Sequence, residues 1–96
     1  MMPVVLVYEQ RAEHEPLMIV GNARGLLALR EVIGLAAMPT TRGSAQLYQA
    51  DGEGYEVIVV CTTDERLAEL PPAYRHNMTP MPERWDRLYA LARGDA

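Results

Sequence analysis

The amino-acid sequence predicts an α+β fold: a four-stranded antiparallel sheet in ββαββ order, a long helix on one face, and a C-terminal helix. Three observations carry this. Apolar runs of strand length come in two pairs, 4–8 with 17–20 and 45–50 with 55–62. Between the pairs, residues 23–38 have helical spacing. Gly21-Asn22 and Asp51-Gly52-Glu53-Gly54 supply the breaks.

Residues 4–8 are a continuous valine-rich run that suits a strand buried on both faces. Residues 9–15 are polar and charge-dense, Pro16 closes them, and 17–20 form the second run, so the two read as a hairpin. Asn22 has the side-chain oxygen to cap the helix that follows. At 100° per residue, Leu26, Leu29, Val32, Ile33, Ala36 and Ala37 share one side of that helix. Leu27 and Leu35 lie off the stripe, so the helix is apolar on more than one face. Gly34 weakens it by about 1 kcal/mol relative to alanine, and Pro39 ends it. Residues 40–44, with Arg42 and Gly43, read as a polar loop. The turn at 51–54 is the clearest in the chain, and it makes 45–62 a hairpin. Thr62 and Glu65 have capping-box spacing for a short helix running to about Leu70, which Pro71-Pro72 stops. Residues 73–82 read as a surface loop. Pro82 suits the first position of a last helix over 83–93, whose Trp85, Leu88, Tyr89 and Ala92 share a face.

Ninety-six residues make a single domain, 1–96, with its core over about 3–70 and a C-terminal loop and helix over 71–94. A hydrophobic share of 49% with 23% charged residues excludes a disordered or collagen-like chain. The apolar stretches fall short of the roughly 18 residues a membrane span needs, and the start lacks a basic leader segment. The lone Cys61 cannot form an internal disulfide. The expectation is a cytoplasmic protein away from membranes. A net charge of −4 argues against general nucleic-acid binding. All nine basic residues are arginine and phenylalanine is absent, which a GC-rich coding bias explains without reference to mechanism. Runs 4–8 and 57–60 are too apolar for the second sheet face to stand in water. Either the C-terminal helix with Trp85 covers that face or a second copy does; partial cover plus a homodimer is expected.

Signals for catalysis are missing where chemistry would need them. Four residues separate Cys61 from Arg66, one fewer than a cysteine phosphatase loop requires. Asp64 and Glu65 oppose a thiolate, so Cys61 is expected to be a small buried apolar residue. His14 and His76 have no zinc-ligand spacing, alone or with Cys61. No glycine-framed serine or Ser-His-Asp signature is present. The reading is therefore no enzyme, no metal and no cofactor. Candidate partner-binding residues are Glu9, Glu13 and Glu15, an acidic loop that suits a basic surface, and Tyr74, Arg75, Met78, Met81 and Trp85, which are interface-type residues. The alternative is a small-anion or nucleotide binder at the helix start 21–25, using Asn22, Arg24, Gly25 and Arg42.

The run Leu17-Met18-Ile19-Val20-Gly21-Asn22-Ala23-Arg24-Gly25-Leu26-Leu27-Ala28-Leu29 resembles the opening of a family of small bacterial immunity-type proteins. Members share a strand, Gly-Asn, two variable residues, Gly-Leu, a leucine-rich helix and a later hairpin. Gly43-Ser44 and the strand 56–60 fall where the family has such features, so the resemblance spans about 17–60. The chain departs after Gly43-Ser44: the family often carries histidines there, and this strand reads Ala45-Gln46-Leu47-Tyr48. The tail from Leu70 has no counterpart. The resemblance implies a non-catalytic binder or inhibitor of a partner protein in bacterial or phage conflict, and it transfers no catalytic residue.

Overall fold

The computed structural model describes residues 2–38, 42–70 and 81–93, with side chains in the last stretch described from Trp85 onward. Its elements are β1 (Val5–Tyr8), β2 (Met18–Gly21), α1 (Ala23–Ala37), β3 (Arg42–Tyr48), β4 (Gly54–Val60), α2 (Asp64–Ala68) and α3 (Met81–Ala92). The α+β class and the ββαββ order are those the sequence predicts. The chain groups into two units. One takes the described residues of Met1–Tyr8 and Met18–Cys61, the other those of Glu9–Leu17 and Thr62–Ala96.

In the first unit the strands pair antiparallel within each hairpin. Val5 stands opposite Gly21 and Tyr8 opposite Met18; Arg42 stands opposite Val60 and Tyr48 opposite Gly54. The expected four-stranded antiparallel sheet does not form: the strands make two two-stranded sheets. Among the described residues the two are joined by a bridge between Val4 and Tyr48, and that bridge is parallel. There the Tyr48 N–H donates to the Pro3 carbonyl at 3.1 Å. One residue further on, the Val5 carbonyl accepts the Tyr55 hydroxyl from β4. A side chain thus takes the acceptor that a longer ladder would use, and the ladder stops.

Strand β3 begins at Arg42, inside what the sequence marks as a loop. The apolar, β-branched end of β4 recruits it: Gly43 and Ser44 lie opposite Val59 and Ile58. Gly43 also lets α1 approach, since a Cβ there would stand 2.7 Å from the Val32 carbonyl oxygen. The turn after β3 closes as expected. Gln49 N–H donates to Glu53 O at 2.8 Å, and Gly52 takes φ +93°. β4 ends at Val60, two residues earlier than the run 55–62 suggested.

Val5, Val32, Ala36 and Leu47 are the buried apolar side chains among the described residues. Each valine or leucine buried this way contributes about 1.5–3 kcal/mol. The buried line of α1 is Gly25, Val32 and Ala36, which corrects the expected stripe: Leu26 and Ile33 are 41% and 48% exposed. Small residues at 25 and 36 bring the helix close, and close approach to a two-stranded ribbon covers a narrow line of α1. In the second unit, Thr63 rather than Thr62 caps α2, its hydroxyl accepting from the Arg66 N–H at 3.3 Å. α2 ends at Ala68 and α3 begins at Met81, two residues before the predicted start. Residues 73–80 of the expected loop, with Pro71 and Pro72 before it, lie outside the described residues.

Candidate functional site

The strand-to-helix turn is held by Asn22. Its Oδ1 accepts from the Gly25 N–H at 2.8 Å, which is the expected cap. The same oxygen accepts from the Val4 N–H at 3.1 Å, and Nδ2 donates to the Met2 carbonyl at 2.9 Å. The Asn22 N–H donates to the Val4 carbonyl at 3.0 Å. Asn22 therefore clamps the start of the chain to the start of α1, a role its local sequence does not announce. Gly25 sits against this clamp, and a Cβ on it would overlap the Val4 carbonyl oxygen. A helix start binds anions through free N–H groups. Here Gly25's is taken and the first strand's backbone lies against the turn. Arg24 and Arg42 are exposed, one on the first turn of α1 and one at the head of β3.

In the second unit, Glu9, Glu13 and Glu15 lie in the loop after β1. Arg11 Nε meets Glu15 Oε2 at 2.9 Å, and the Glu15 N–H donates to Ala12 O at 3.3 Å. The ion pair is exposed and contributes at most about 1 kcal/mol, yet it gives the loop a folded tip. His14 adopts φ +66°, a left-handed conformation uncommon outside glycine. Glu9 and Glu13 are exposed on this loop.

Helix α3 presents Trp85, Leu88 and Tyr89 to water. The Trp85 and Tyr89 rings, one turn apart, lie 5.6 Å between centroids at an interplanar angle of 39°. Arg87 Nη1 donates to the Glu69 carbonyl at 3.3 Å and so ties α3 to the residue closing α2. Of the other C-terminal candidates, Tyr74, Arg75, Met78 and the Met81 side chain lie outside the described residues. Tyr89, on the predicted apolar face, joins Trp85 as a candidate contact.

Cys61 is exposed, against the expectation of burial. β4 ends at Val60, so the residue after it leaves the paired ladder and the cover of α1. Among the described residues no three His, Cys, Asp or Glu side chains are arranged to hold a metal, and no helix is long and apolar enough to cross a membrane. Burial pushes the Tyr55 hydroxyl above its ordinary range; that hydroxyl is engaged with Val5. Comparison with known proteins finds no matching family model, no matching curated protein and no matching solved structure.

Proposed function

We propose that the protein is a small non-catalytic protein-binding module of the cytoplasm, acting as an immunity or inhibitor protein in bacterial or phage conflict. The observation that carries the binding role is the Trp85–Tyr89 pair standing in water on α3. Tryptophan and tyrosine are the residues that most often dominate binding energy, and an amphipathic helix with an apolar face in water suits an apolar groove on a partner. The exposed Glu9 and Glu13 would favour a basic rim around that groove. The immunity role draws on the resemblance of residues 17–60. A second copy of the chain belongs to the same reading, supported by the apolar side chains left in water on β1 and β2. The small-anion alternative draws less support, because the N–H that Gly25 would offer is already accepted by Asn22.

The test uses the full chain as bait in extracts of its source cell, beside a Trp85→Ala/Tyr89→Ala variant. A protein bound by the wild type is then purified and titrated against both. The variant is expected to bind at least thirtyfold more weakly, on the order of the 2 kcal/mol that marks an interface anchor. Cys61→Ala and His14→Ala should bind as the wild type does. Unchanged affinity in the double variant would remove α3 from the reading. Loss of function in a folded Cys61→Ala protein would overturn the non-catalytic reading.

A further inference from the structure

We infer that β1 and β2 form the contact between two copies of this chain, with β2 pairing antiparallel to β2 of the second copy. The inference rests on the homodimer part of the functional reading and is independent of α3. Val7, Tyr8, Met18, Ile19 and Val20 are each 45–59% exposed. Successive residues of a strand point to opposite faces, so the ribbon is apolar and wet on both. β2 has one neighbour, β1, among the described strands. Its other edge carries none of the lysines or prolines that usually blunt such edges.

The register shows what that edge offers. The Asn22 N–H donates to the Val4 carbonyl, which makes these two a hydrogen-bonded pair. Such pairs alternate along an antiparallel ladder. Val20 and Met18 therefore bond inward to β1, and Ile19 turns its N–H and carbonyl to the edge that no described strand occupies. Two identical strands paired antiparallel are related by a two-fold axis, the commonest symmetry of homodimers.

Charge and register select a second copy as the occupant. The chain carries −4, so two copies repel each other on net. Neither β1 nor β2 contains a charged residue. This patch can meet its own image without like charges in contact, and it offers nothing to a partner chosen by charge. Centred on Ile19, that pairing sets Met18 and Val20 of one copy beside Val20 and Met18 of the other on one face, and the two Ile19 side chains beside each other on the opposite face.

Sedimentation velocity of the full chain over a concentration series, with hydrogen exchange at the Ile19 amide, tests this. The wild type should dimerise, and Ile19 protection should rise with concentration. Ile19→Lys and Met18→Lys, at exposed positions, should each weaken dimerisation at least tenfold while leaving the circular dichroism spectrum unchanged. Leu27→Lys, at an exposed position on α1, should not weaken it. A dimer insensitive to both β2 variants would overturn this inference and leave the homodimer reading standing. A monomer at every concentration would overturn both. An Ile19 amide protected independently of concentration would mean that another part of the same chain covers the edge, which also overturns it. If neither lysine variant folds, the concentration dependence of Ile19 exchange in the wild type decides alone.

Discussion

One amide, that of Asn22, joins three pieces of backbone: Met2, Val4 and the first turn of α1. Its neighbour Gly25 has no room for a methyl group against the Val4 carbonyl. Gly25→Ala should destabilise the fold by about 1–3 kcal/mol, the usual range for forced overpacking, seen as a lower urea midpoint. Unchanged stability would mean that the turn relaxes and the close approach is not required. Tyr55 is the other residue whose role lies far along the chain. Tyr55→Phe leaves the Val5 carbonyl without its hydroxyl partner and should cost about 1 kcal/mol. Burial also raises the tyrosine's pKa, so the folded state keeps the proton to higher pH than the unfolded state does. That contribution is fully present below the ordinary tyrosine value of about 10 and is lost as pH rises through the folded value. The stability gap between wild type and Tyr55→Phe should therefore shrink as pH rises above about 10; a constant gap would refute the assignment. The sequence marked Asn22 as a cap because capping is local. The clamp to residues 2–4 and the Tyr55 contact, across fifty residues, have no local signature.

Among the elements, α1 holds two interior glycines of opposite meaning. Gly34 is exposed and nothing lies within 4 Å of where its Cβ would be. Gly34→Ala should stabilise the protein by about 0.5–1 kcal/mol through helix propensity alone, raising the urea midpoint where Gly25→Ala lowers it. A loss of stability would place an unseen contact at that face. Spacing in the sequence located α1 to within one residue, because apolar periodicity and a capping asparagine are local properties. It did not choose the buried line, because α1 is apolar on several faces and the partner surface makes that choice. β3 shows the same limit: Arg42, Gly43 and Ser44 have little strand preference of their own, and they are strand because Val60, Val59 and Ile58 stand opposite. Of the site, Trp85 on an apolar helix face was legible; that the face would stay in water was not.

For the whole molecule, the consequence of a small core is surface that asks for cover. Four apolar side chains are buried among the described residues, while the β1–β2 ribbon and the outer line of α1 leave large apolar groups in water. A protein stabilised by its own second copy has a melting temperature that rises with protein concentration. Dilution should lower it for the wild type and leave it unchanged for Ile19→Lys. The sequence by itself determined the α+β class, the order of elements, the tight turn at 51–54 and the cap at Asn22, because each follows from spacing and backbone preference within a few residues. Only the tertiary structure decided that the four strands part into two ribbons, which line of α1 is buried, and that Cys61 lies exposed. Those outcomes turn on contacts between distant residues, with the Tyr55 hydroxyl at Val5 and the Val4 carbonyl against Gly25 foremost among them.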